Sequence, residues 1–271
     1  MFENNFTVLE KMVREDAIII PVAQHRKPDG TFDLERNLKL WNDAIRQYEQ
    51  IPLWEEGAPG YDGDKTPLQP QPSLIFVPGQ NGGEKRGTIV VAHGGGFSSR
   101  TGCEGMNVAY YFAQKGFNTA ILTYRLQPYT PYDALADMQA ADPIQRESCR
   151  PDAAVICYGA FAFSAFPGAF GFRSTPFCSS REELYYMAPE ANVTPDTPPC
   201  FVWQTTSDDA RHSFALCSAL TAAGVEFELH CFPEGVHGMA LADGHNDLGL
   251  NIPHVGRWAE LCAEWLEEHH I

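Results

Sequence analysis

The sequence predicts an α/β fold: an open, mostly parallel sheet with helices on both faces. Three observations lead there. A chain of 271 residues with 44% apolar and 12% aromatic side chains suffices for one well-buried domain. Short β-branched runs alternate with segments of helical spacing from residue 72 to the C-terminus. Clusters of glycine, histidine and aspartate fall directly after three of those runs, where open parallel sheets place their ligands.

In chain order, the triplet Ile18, Ile19, Ile20 predicts a strand over 15–23. Leu34, Leu38, Trp41, Ile45 and Tyr48 recur at helical spacing and predict a helix over 33–50. These first sixty residues form the outer edge of a single domain spanning 1–271, since no repeat, charge run or Gly/Ser linker marks a boundary. Strands are expected over 73–77 and 87–92, joined as a hairpin across the glycine-rich turn 78–83. The glycines of 79–85 do not have phosphate-loop spacing, and Arg86 follows Lys85 where Ser or Thr belongs. Then come a helix over 105–115 stopped by Gly116, a strand over 119–126, a helix over 132–142 and a strand over 153–158. Beyond an aromatic stretch follow a strand over 200–205, a helix over 213–223 capped by Gly224, a strand over 225–232 and a last helix. In that helix Trp258, Leu261, Cys262, Trp265 and Leu266 make one apolar stripe.

Charge and composition exclude several classes. Nineteen basic against thirty-five acidic residues leave a formal charge of -16, which opposes the phosphate neutralisation behind most nucleic-acid binding. The longest aliphatic stretch, 17–20, falls far short of the roughly 18 apolar residues of a membrane helix. Residues 1–16 carry no cationic start with an apolar stretch after it, so a cytoplasmic location is expected. Eight cysteines are scattered without a CxxC pair and read as buried thiols.

Three strand ends carry chemistry. His93, Gly94, Gly95, Gly96 and Phe97 follow the run 88–92, and successive glycines let backbone N–H groups converge on an oxyanion. His93 reads as a hydrogen-bonding brace of that loop. Asp208 and Asp209 follow the strand 200–205, where one carboxylate can orient an imidazole; capping the next helix is the plainer role for such a pair. His237, flanked by Gly235 and Gly238, follows the strand 225–232. The chain order of oxyanion loop, acid and histidine, each after its own strand, is that of hydrolases with a strand-end nucleophile.

On these residues, together with Tyr124, Arg125, Leu126 and Pro128, the segment 193–199 and the segment 233–239, the chain resembles α/β-hydrolases of the HGGG-bearing acetylesterase and carboxylesterase group, relatives of bacterial acetyl-xylan and feruloyl esterases. The resemblance runs from about residue 50 to the C-terminus. It implies a serine-hydrolase mechanism in which Asp208, or alternatively Asp209, is the acid, His237 the base, and Gly94, Gly95 and Gly96 the oxyanion hole. It also implies a small ester substrate, such as an acetylated carbohydrate, and no cofactor. Ala210, Arg211 and His212 stand where the group often has Val-Pro after its acid, so the choice of aspartate stays open.

The nucleophile is missing from this pattern. No GxSxG elbow lies between the oxyanion loop and the acid, and only the 26 residues 127–152 separate the strand ending at Leu126 from the one beginning near Ala153. A helix, an elbow strand and a second helix would need an insert of about 30 residues more. The sequence therefore predicts that the central nucleophile strand has been lost between about Met138 and Glu147, and that the 153–158 strand re-pairs with the 88–92 strand. Ser98, Ser99, Cys103 and Ser148 lack elbow context and read as loop hydroxyls or a buried thiol. The resulting alternative is a catalytically silent hydrolase-like fold that binds a small acyl ligand or a partner. Phe161, Phe163, Phe166, Phe170, Phe172 and Phe177 either wall an acyl pocket or pack on the sheet edge. His237, His245, Asp247 and His254 have no metal-binding spacing, and Asp62, Gly63 and Asp64 are too few for a calcium loop, so no metal is expected.

Overall fold

The computed structural model describes residues 27–29, 33–80, 86–140, 150–160, 180–246 and 249–271. The strand expected over 15–23, the phenylalanine cluster, most of 138–147, Ser148 and Asp247 lie outside them. The chain forms two compact units, Met1–Cys149 with Gly238–Pro253 and Ile271, and Arg150–His237 with His254–His270.

In the first unit, helix α1 (Leu34–Ile45) begins where the Asp33 side chain accepts the Arg36 amide at 3.2 Å. It ends earlier than its apolar spacing suggests, because Gln50 belongs to strand β1 (Glu49–Pro52), paired antiparallel with β2 (Ser73–Val77). Strand β3 (Thr88–Ala92) does not form the expected hairpin with β2. Strand β4 (Asn118–Thr123) lies between them, antiparallel to β2 and parallel to β3, in the order β1-β2-β4-β3. The reason lies in burial. Five of the six residues of β4 are buried, so β4 takes the interior position that a local hairpin would have denied it. Its neighbouring side chains face opposite ways. Ile121 packs with Trp41 of α1 and with Ala109 and Ala113 of helix α2 (Val108–Gln114), whereas Leu122 packs with Ala134 of helix α3 (Pro131–Gln139). Helices therefore cover both faces. A turn of π-helix, Cys103–Asn107, leads into α2.

Helix α3 starts with a reciprocal cap between Thr130 and Asp133 and has Pro131 in its first turn. Its Asp137, fully buried, receives the Arg125 guanidinium through Nε at 2.9 Å and Nη2 at 2.8 Å, the Arg125 amide at 2.9 Å and the Trp54 indole at 3.1 Å. The Tyr124, Arg125, Leu126 segment thus lies past the end of β4, anchored by an ion pair, rather than continuing the strand as expected.

In the second unit, strands β5 (Ala154–Cys157), β6 (Cys200–Thr205) and β7 (Phe227–Phe232) form a parallel ladder in that order. All six residues of β6 are buried. Cys200 and Val202 pack with Leu216, Cys217 and Leu220 of helix α5 (Arg211–Ala223), which ends at Gly224 with φ +72°. Phe201 and Trp203 meet Trp265 and Trp258 of helix α6 (Trp258–Glu268), with ring centroids 5.9 and 5.0 Å apart. Helix α4 (Arg181–Met187), opened by a Ser180 and Glu183 capping box, was not expected from the sequence.

Among the described strands β3 pairs with β4, within the first unit, and β5 with β6, within the second.

One outcome is expected. Asp137→Ala leaves a buried guanidinium without its carboxylate and costs about 3–5 kcal/mol in urea unfolding.

Candidate active site

In the first unit the glycine loop follows β3 directly. The Gly94 carbonyl accepts from the His93 Nδ1–H at 2.7 Å and from the Thr101 amide at 3.3 Å, and the Gly95 carbonyl accepts the Ser98 and Ser99 amides, both at 3.1 Å. In a trans peptide the carbonyl and the following N–H point in opposite directions. Bracing these two carbonyls therefore turns the Gly95 and Gly96 N–H groups to the other side, and neither donates a hydrogen bond among the described residues. A side chain at Gly95 is excluded by contact and by backbone, since at φ +123° its Cβ would overlap the Ser99 carbonyl, whereas one at Gly94 would have to displace the Glu104 carboxylate.

His93 is 3% exposed, stacked on Tyr124 with centroids 4.5 Å apart and tilted against Trp41 at 4.9 Å. The Tyr124 hydroxyl donates to the His93 carbonyl at 2.7 Å. Burial pushes the imidazole down to about 3, and the positive Arg100 adds to the fall. His93 is therefore a neutral brace. Arg100, itself 1% exposed, donates through Nη2 to the Tyr124 carbonyl at 3.1 Å; the sequence reading passed over it because a lone arginine in a loop carries no pattern.

In the second unit the ladder order brings three strand ends side by side. Asp208, three residues past β6, is 8% exposed, and the His237 Nδ1–H donates to its Oδ2 at 2.9 Å. The two loops are tied by the Thr206 amide, which donates to the Phe232 carbonyl at 2.9 Å, and by the Thr206 hydroxyl, which donates to the Pro233 carbonyl at 3.1 Å. The His237 side chain is 55% exposed. Asp209, by contrast, is turned by φ +45° to Arg211, which holds it at 2.6 and 2.5 Å and keeps its carboxyl below the usual range. Neither aspartate caps α5, whose N-cap is Ala210 with no side-chain bond. Tyr158, directly after β5, lies edge to face on His237 with centroids 5.3 Å apart. Its position at a strand end was the available signal, hidden among neighbouring loop aromatics.

The other hydroxyls and thiols near the glycine loop are occupied or enclosed. Ser98 donates to the Gly95 carbonyl at 3.2 Å, Ser99 is 2% exposed, and Cys103 is fully buried. His245 pairs with Asp243, and His254 packs on Phe232. Among the described residues no group of three or more His, Cys, Asp or Glu side chains converges as metal ligands, and no helix is long and apolar enough to cross a membrane.

Buried neutral His93 gives an acid-stability signature. Unfolded, it protonates below about 6.5; folded, it stays neutral down to about 3. Between these values the unfolded state binds the extra proton, so stability falls as pH falls, by about 1 kcal/mol per pH unit. Chemical denaturation of His93→Gln between pH 6.5 and 4 is expected to show a shallower loss than the native chain.

No family model matches the chain. It is 32% identical over 100 residues to the endo-1,4-beta-xylanase B of Butyrivibrio fibrisolvens, a stretch covering 35% of this chain and 16% of that protein. Among solved structures it is similar to an acetyl ester-xyloside bifunctional hydrolase from Caldicellulosiruptor lactoaceticus, with a TM-score of 0.67 and 26% identity over 81% of this chain and 96% of the other. A carboxylesterase from Lactobacillus plantarum superposes with a TM-score of 0.63 and 22% identity, covering 82% and 97% of the two chains. A thermophilic esterase from Thermogutta terrifontis does so with a TM-score of 0.61 and 17% identity, covering 83% and 95%. With its mostly parallel strands, its helices on both faces and these neighbours, the chain has the α/β-hydrolase fold, and it is similar to these esterases and hydrolases.

Proposed function

We propose that the chain is built on the plan of a serine carboxylesterase for small acetyl esters, sugar acetates among them, and that it lacks the nucleophile of that plan. The observation that carries the reading is the Asp208–His237 pair. A buried carboxylate holding the Nδ1–H of a half-exposed imidazole at 2.9 Å fixes the tautomer a general base needs, with its lone pair on Nε2. The Gly95 and Gly96 amides, with Gly94 shaping the turn, are the proposed donors to the carbonyl oxygen as it becomes an oxyanion. Asp209 is left out of the acid role by its engagement with Arg211.

In the complete plan His237 takes a proton from a serine hydroxyl, the serine oxygen adds to the ester carbonyl, and the alcohol leaves with the proton returned by the imidazole; water then repeats the sequence on the acyl group. Here no described hydroxyl stands in elbow context. That favours a chain that polarises and binds esters without forming an acyl intermediate. The short identity with a xylanase and the likeness to an acetyl ester-xyloside hydrolase support a carbohydrate ester as the ligand.

A fluorophosphonate probe with peptide mapping tests this. No serine is expected to be labelled, and turnover of p-nitrophenyl acetate is expected at no more than about 10³ to 10⁴ over water. Labelling of Ser98, Ser99 or Ser148, or rates several decades higher, would overturn the missing nucleophile.

A further inference from the structure

The first unit buries two arginines and treats them differently. Arg125 is neutralised by Asp137. Arg100, 1% exposed, pairs with no carboxylate among the described residues, and its one side-chain hydrogen bond there runs from Nη2 to the Tyr124 carbonyl at 3.1 Å. Its Nε and Nη1 are buried without a partner. Ser99, the residue before it, has a buried hydroxyl in the same condition, and so has Nε2 of His93, whose ring feels the Arg100 charge.

Arg100 does not escape by giving up its charge. Burial lowers the guanidinium only to about 10, so it is positive at neutral pH. The ionisable groups that interact with it offer no counter-charge: Tyr124 and Tyr61 are each pushed up by burial and stay protonated, and His93 is neutral. The Glu104 carboxylate lies against Gly94 and makes no ion pair with Arg100. A charge in the interior persists where an opposite charge and filled hydrogen bonds offset its loss of water. Buried polar groups left unpaired in a native fold therefore mark an ordered water or an ion. Water would fill the hydrogen bonds and leave the charge as it is, whereas an anion supplies both. A single positive charge so deeply enclosed calls for a monovalent ion of chloride or acetate size.

We propose that Arg100 anchors an internal site for a small monovalent anion, chloride or a short carboxylate, held by its Nε–H and Nη1–H groups just past the glycine loop. The proposal draws on residues of the first unit alone, and not on the reading of Asp208 and His237 as acid and base.

Thermal unfolding of the full chain in sodium gluconate, with chloride or acetate replacing the bulky gluconate at constant ionic strength, reads the outcome. Above the dissociation constant, each tenfold rise in the anion favours the folded state tenfold and is expected to raise the midpoint by about 3–5 °C. A rise with chloride alone assigns the site to a halide, a rise with acetate alone to a carboxylate, and a rise with both to either ion; each supports the proposal. Equal midpoints in the three salts overturn it. Arg100→Met keeps the length of the side chain without its charge and is expected to abolish the difference between the salts. General salt effects survive in that variant, so a difference retained in full overturns the proposal. Should Arg100→Met not fold, crystals of the native chain grown in bromide and in acetate locate the ion directly. Density for either ion at hydrogen-bond distance from Nε or Nη1 supports the site, and density for water alone in both overturns it.

Discussion

The register of β6 is the constraint on which the proposed acid–base pair depends. A strand that buries all six side chains, alternately against α5 and α6, cannot slip by one residue without exchanging its two faces. That fixed register sets where Asp208 emerges. Parallel pairing of Thr205 with Phe232 then brings the loop of His237 alongside, and Thr206 ties the two loops with two hydrogen bonds. The 2.9 Å contact between a loop aspartate and a loop histidine is thus a consequence of core packing below it.

The first unit solves a different problem, that of burying charge and polarity near a glycine loop. Arg125 and Asp137 neutralise each other with Trp54 and backbone groups completing their hydrogen bonds, which suits a fully buried pair. His93 takes the other route and is held uncharged between aromatic rings. With its Nδ1–H committed to the Gly94 carbonyl, it stiffens the loop whose next two amides face away from that bond.

Much of the fold was legible because burial writes period into sequence. The stripe Trp258, Cys262, Trp265, Leu266 and the apolar run of β6 appear in the structure as read, with the Gly224 cap where the pattern ends. The glycine loop and His237 were legible as strand-end features. The errors are of one kind, choices of partner. The β2–β3 hairpin was inferred from turn residues, but an interior strand arriving later in the chain, β4, displaced it. Likewise β1 was absorbed into the helix before it, since Tyr48 fits helical spacing while the strand identity of 49–52 exists only through its pairing with β2.

Local composition by itself determined that this chain builds a mostly parallel α/β scaffold with an HGGG loop, an aspartate pair and a glycine-flanked histidine after successive strands. Periodicity and motif order act within one segment at a time, so they carry that much. Only the tertiary structure decided that Asp208 and not Asp209 meets the imidazole, that Tyr158 lies edge to face on it, and that β4 lies between β2 and β3. Each of these depends on which groups from distant segments reach one another, and contact distance is a property of the folded chain that no single stretch of sequence contains.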